Sequence, residues 1–185
     1  MNYGGGVAGF IATADDPRFV DEYPSRLFGI APTSEKEWGF GDVLWERTSF
    51  ANRDSAKEFV GTHSALWGIA AGVYLAAMGP QGMKELGEAV VQRQLCLKKV
   101  LSGVKGLSFD RLSGTPFQEV VADFSASGKK VSEINKKLLE KGILGGYDLG
   151  RNFPELEGCM LLAVTEQTSA DDIKALASAL SEILA

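Results

Sequence analysis

The chain has 185 residues, with 45% hydrophobic and 23% charged positions, 22 glycines, two cysteines, one histidine and a formal net charge of −5 at pH 7. One histidine and two widely separated cysteines, Cys96 and Cys159, cannot supply a His/Cys zinc site or a CxxC redox pair, so no metal site is expected. The acidic balance argues against a partner made of many phosphates, because such binding needs a Lys/Arg excess; no nucleic-acid function is expected.

The start of the chain lacks the basic and then apolar pattern of a secretory leader, and two separated cysteines read as reduced thiols, so a cytoplasmic protein is expected. Residues 1–47 read as strand-and-loop material: NYGGGVAGFIAT, a turn or short helix at Asp15 to Tyr23, then the short runs RLFGIA and FGDVLWERT. Strands this short with no covering helix expose an apolar face, so this piece is expected to pack onto something else. Thr62, His63 or Ser64 is a candidate N-cap for the apolar run Ala65 to Met78, and Gly79-Pro80 ends or kinks that helix. At about 14 residues the run is short of the roughly 20 that a bilayer crossing needs, and no membrane span is expected. A second helix follows on the stripe Met83, Leu86, Val90, Leu97 and Leu101.

Beyond the turn at Val104 to Gly106 the composition shifts. LSFDRL and PFQEVVADF read as strands joined through Ser113 to Thr115. Val131 to Glu140 reads as a helix with Gly142 as its left-handed cap, Gly145 to Gly150 as a flexible loop, and CMLLAVTE as a buried strand. The last helix carries a capping box, Ser169 with Asp172, ahead of Ile173, Leu176, Leu180, Ile183 and Leu184 at helical spacing. The order ββαβα describes a small α+β domain.

Few motifs carry chemistry. Gly4-Gly5-Gly6, with Gly9, has the conformational freedom of a phosphate cradle or of a plain turn, without the GK[ST] of a P-loop or a preceding strand. His63 at a helix start has no partners that make a catalytic constellation. Arg47-Thr48-Ser49 and Arg53 suit either a carboxylate or phosphate ligand or surface ion pairing. The lysines at 129, 130, 136, 137 and 141 read as a solvated face.

Four stretches carry a resemblance that extends along the whole chain. Gly5 to Thr13 (GGVAGFIAT), Pro24 to Gly29 (PSRLFG), Tyr74 to Gly82 (YLAAMGPQG) and Lys141 to Glu157 (KGILGGYDLGRNFPELE) resemble the corresponding segments of subunit 1 of the glycine cleavage system P-protein family, the decarboxylating glycine dehydrogenases. The resemblance implies an α/β, aminotransferase-like fold-type I architecture of the pyridoxal phosphate-dependent enzymes, here its C-terminal part. Residues 1–62 are then the remnant of the large domain, 63–104 the interdomain helices and 105–185 the small α+β domain. It further implies a heterotetrameric enzyme in which subunit 2 carries the Schiff-base lysine. That enzyme decarboxylates glycine on pyridoxal phosphate and passes the aminomethyl group to the lipoyl arm of the H-protein. No catalytic residue is expected in this chain, and the fragment alone is expected to be inactive. Gly4, Gly5 and Gly6 are the expected cofactor neighbours, and Arg47, Thr48, Thr62 and His63 the expected wall of a substrate or interface site.

The sequence departs from the family pattern between Arg47 and Leu66. Phe50 stands where the family has a histidine, and Glu58-Phe59 where it has a Ser-Asn pair. Losing an imidazole and an amide removes hydrogen-bonding capacity, which leaves open a diverged subunit with a structural role or another amino acid as substrate. A free-standing interaction module that docks through the Gly/Ala-rich helix is the non-enzymatic alternative.

Overall fold

A computed structural model describes residues 9–58 and 65–185. The chain divides into two compact units, the first running from Ala8 to Ala76 and the second from Ala77 to Ala185.

In the first unit, helix α1 (Pro17–Val20) starts at Asp16, whose carboxylate accepts from the Arg18 N–H, with Pro17 in the first helical position. Strands β1 (Phe28–Pro32) and β2 (Trp38–Asp42) form an antiparallel hairpin in which Ile30 faces Phe40 and Pro32 faces Trp38. Because side chains alternate across a strand, Phe28, Ile30, Pro32, Trp38 and Phe40 share one face, while Gly29, Ala31, Gly39 and Gly41 share the other. Phe28 stacks on Phe40 with ring centroids 5.6 Å apart. The apolar face is nonetheless exposed: Trp38 keeps 72% of its accessible surface and Phe40 75%. A 3-10 turn follows at Trp45–Arg47. Arg47 and Thr48 are the buried residues of this unit among those described, so polar groups occupy the place of an apolar core.

Helix α2 (Ala65–Leu101) is kinked where expected: Gly79 takes φ 62°, ψ 178°, and Pro80 after it has no N–H for the helical ladder. Among the described residues, no helix is long and apolar enough to cross a membrane. Leu66, Trp67, Ile69 and Val73, in the first turns of α2, are exposed.

The second unit has a conventional core. Strand β3 (Glu119–Asp123), helix α3 (Val131–Glu140), strands β4 (Tyr147–Asp148) and β5 (Cys159–Ala163) and helix α4 (Ala170–Leu184) build a three-stranded antiparallel sheet in the order β3-β5-β4 with helices packed on it. Leu97 and Leu101 of α2, Ile134 and Leu138 of α3, and Ile173, Leu180 and Ile183 of α4 meet Val120, Ala122, Met160 and Leu162 of the sheet. Each fully buried side chain of this size contributes about 1.5–3 kcal/mol relative to exposure. The helix boundaries follow local chemistry. At the end of α3, Gly142 takes φ 75°, donating to the Leu139 carbonyl while Ile143 donates to that of Leu138. Ser169 and Asp172 form the reciprocal capping box of α4.

Two expectations are corrected here. LSFDRL is not a strand: it touches the sheet through a single bridge, Ser108 to Asp123, and buries Leu107 and Phe109 from an irregular path. The stretch from Gly145 to Gly150 is not a loose loop. The Gly146 N–H points at the Met160 sulfur (3.1 Å), its carbonyl accepts from Asn135 Nδ2 (2.8 Å), and β4 follows at once.

Candidate functional site

Of the site residues expected from sequence, Gly4, Gly5, Gly6, Thr62 and His63 lie outside the described residues, as does the helix cap proposed among Thr62, His63 and Ser64. Arg47 and Thr48 are described, and their surroundings show what holds them. The Arg47 guanidinium donates to three backbone carbonyls of one loop: Nε to Asp21 (3.3 Å), Nη1 to Ser25 (2.9 Å) and Nη2 to Tyr23. A planar donor set of this kind is well matched to a loop whose carbonyls converge. Thr48 is buried, and its hydroxyl donates to the Trp45 carbonyl at 2.7 Å. Arg53 is exposed on the following turn.

Arg47 lies at the wall of an open cleft of about 580 Å³, with Arg18, Asp21, Glu46, Ser55 and Lys57 around it. Its other cations are engaged close by. Arg18 Nη2 lies 2.6 Å from the Asp16 carboxylate, and Lys57 Nζ 2.6 Å from that of Glu22. Each contact lifts the pKa of its cation, and the Arg18 hydrogen bonds hold the Asp16 carboxyl below the usual range. The volume suits a small ligand, but the described residues do not fit a phosphate or a pyridine aldehyde: Arg47 and Thr48 already donate to the protein's own carbonyls. What these two residues do is fix backbone, tying the loop at 21–25 to the turn at 45–48.

Sequence reasoning missed the neighbouring cluster around Arg26. Its Nε lies 3.2 Å from Glu58 Oε2 and 3.8 Å from Asp42 Oδ1, and its Nη2 3.3 Å from Glu58 Oε1. The Phe50 ring covers the guanidinium, 4.1 Å from its carbon to the ring centroid, and stacks in turn on Trp45. Glu58 Oε1 also accepts from the Ser49 N–H (2.8 Å) and the Ser49 hydroxyl. Arg26 first, then Ser49, holds the Glu58 carboxyl down to about 2. Phe50 and Glu58, two of the positions between Arg47 and Leu66 at which the sequence leaves the family pattern, both close on one arginine. The clue was present in the paired departures, but nothing local links them: Arg26 and Glu58 stand far apart in the sequence.

The model of the family described as "Glycine cleavage system P-protein" matches residues 1–180. A probable glycine dehydrogenase (decarboxylating) subunit 1 of Pyrococcus furiosus is 39% identical over 184 residues, which is 100% of this chain and 40% of that protein. The protein of the same description from Anoxybacillus flavithermus is 36% identical over 97% of this chain and 39% of its own length. Among solved structures, a crystal structure of glycine decarboxylase (P-protein) of the glycine cleavage system, in inhibitor-bound form, superposes with a TM-score of 0.79 at 28% identity, covering 90% of this chain and 37% of that one. The chain therefore spans about 40% of the length of the curated relatives it matches.

Proposed function

The chain belongs to the glycine cleavage system P-protein family and shares its fold, and from that we propose that it works as the C-terminal part of subunit 1 of a decarboxylating glycine dehydrogenase. The observation that carries this reading is the match along essentially the whole chain to proteins of that one description. In it the substrate is glycine, the acceptor is the lipoyl arm of the H-protein, and the enzyme assembles in the cytoplasm with a subunit 2 as a heterotetramer. Pyridoxal phosphate is its cofactor, the lysine that holds it belongs to subunit 2, and Gly4, Gly5 and Gly6 are its proposed neighbours in this chain. Thr62 and His63 are proposed to face the shared site. Arg47 and Thr48 serve its wall from behind, by holding backbone.

The exposed surface of residues 9–58 supports this assignment. A hairpin with Ile30, Trp38 and Phe40 in solvent, and a unit that buries only Arg47 and Thr48 among its described residues, leave apolar surface for the remainder of such a subunit to cover.

The test is co-expression of the polypeptide carrying this chain with its subunit 2, followed by glycine-dependent exchange of labelled bicarbonate in the presence of lipoylated H-protein. Co-purification with exchange is the expected result. Co-purification without exchange on glycine, but with turnover of another amino acid, would favour the second reading, which the replacements at Phe50 and Glu58 motivate: a diverged subunit with another substrate. Failure to associate would overturn the subunit assignment.

A further inference from the structure

Arg26 joins three segments of the first unit, and its contacts decide between two roles. One is that of a receptor: a guanidinium fork at a site wall binds the carboxylate of a substrate or the phosphate of a cofactor, with Glu58 as a placeholder that the ligand displaces. The other is that of a strut, in which Glu58 is its permanent partner.

The charges and the geometry favour the strut. Arg26 is faced by two carboxylates, Glu58 at 3.2 Å and Asp42 at 3.8 Å, so one cation stands against two anions. An incoming anion must displace Glu58 and then meet Asp42, whose Oδ1 is buried and has no hydrogen-bond partner among the described residues. Glu58 is itself bound on two sides, since Oε1 accepts from the Ser49 N–H and hydroxyl as well as from Arg26. Only 8% of the Glu58 side chain is accessible, against 24% for Arg26. Phe50 closes one face of the guanidinium, the arrangement expected of a cation held in place.

We propose that Glu58 is a positioning residue: through Arg26 and Ser49 it fixes the wall segment Arg47–Glu58 to the end of the β1–β2 hairpin at Asp42, and Arg26 is not a receptor for a substrate or cofactor anion. The proposal rests on the reading above for what the wall serves. Its mechanical part stands on the contacts alone. Arg47 grips the carbonyls of residues 21–25 from the far side of that segment, so two arginines brace the same piece of chain from opposite ends.

The experiment uses the full-length subunit assembled with subunit 2, comparing Glu58→Ala, Glu58→Gln and Arg26→Lys with the unmodified protein. Hydrogen exchange of peptides covering residues 47–58 reads the strut, and isothermal titration with inorganic phosphate reads anion binding. Steady-state kinetics with glycine read the wall. Faster exchange is expected in Glu58→Ala and Arg26→Lys, a smaller effect in Glu58→Gln, and no gain in phosphate affinity in any variant. A displaced wall lowers kcat on the order of tenfold or more, with KM for glycine changed by no more than about twofold. The pair acts as one unit, so the Arg26→Lys/Glu58→Ala double variant is expected to be no worse than the poorer single one. Tighter phosphate binding or a lower KM on removing the Glu58 charge would restore Arg26 as a receptor and overturn the proposal. Unchanged exchange across 47–58 would overturn it as well. An assembly inactive on glycine counts against the functional reading, while exchange and phosphate binding still judge the role of Glu58. Unchanged exchange in peptides from residues 77–185 serves as the control that a variant is folded.

Discussion

At the scale of single residues, polar groups are placed in two opposite ways. Arg47 and Thr48 are buried with partners for their donors, and removing either partner set leaves a desolvated polar group. Gln94 is the contrary case. It falls on the same face of α2 as Val90, Leu97 and Leu101, it is fully buried, and neither its amide nitrogen nor its amide oxygen has a hydrogen-bond partner among the described residues. A buried amide without partners costs about 1–3 kcal/mol, whereas a thioether of similar length carries no such penalty. Gln94→Met is therefore expected to stabilise the second unit by about 1 kcal/mol. Urea unfolding should show a higher midpoint with an unchanged slope; a lower midpoint would mean that the amide has a partner in solution.

At the scale of elements, the glycines separate by what surrounds them rather than by their number. A Cβ built on Gly146 would lie 2.6 Å from Met160 Cγ and closer still to the Leu161 carbonyl, against the central strand of the sheet. Gly146→Ala must push β4 away from β5, and overpacking of this kind costs about 1–3 kcal/mol. Gly87, inside α2, meets nothing within 4 Å, and Gly87→Ala is expected to stabilise by roughly 0.5–1 kcal/mol through helix propensity. Thermal melts of the two variants should move in opposite directions. A common downward shift would show that Gly87 also lies at a close contact in solution.

At the scale of the whole molecule, the two units rest on different physics. Residues 77–185 enclose an apolar core drawn from three helices and a sheet, while residues 9–58 are held by hydrogen bonds, ion pairs and stacked rings around Arg26 and Arg47, with large aromatics exposed. Protection from exchange follows buried apolar contact. Amides of β3, β5, α3 and α4 are expected to be the slowest to exchange in the isolated chain, and those of β1 and β2 to exchange orders of magnitude faster. In the proposed assembly with the remainder of a subunit 1, the latter are expected to slow. Equal protection in both units of the isolated chain would show that the first unit needs nothing to cover it.

The sequence by itself determined whatever rests on near neighbours. The capping box Ser169–Asp172, the left-handed glycine after α3, the kink at Gly79-Pro80 and the amphipathic stripes of the helices are set by interactions within one or two turns, so spacing exposes them. Family membership was legible for a related reason: long runs such as Lys141 to Glu157 carry a specific order that short-range physics does not require. Only the tertiary structure decided that residues 107–112 leave the sheet, that Gly146 is pinned rather than loose, and that Arg47 holds a loop. The same holds for the candidate site as a whole. Whether an arginine is a receptor or a strut depends on which carboxylates and rings the chain brings back to it from far along the sequence. For Arg26 those are Asp42, Phe50 and Glu58, and no local pattern encodes their convergence.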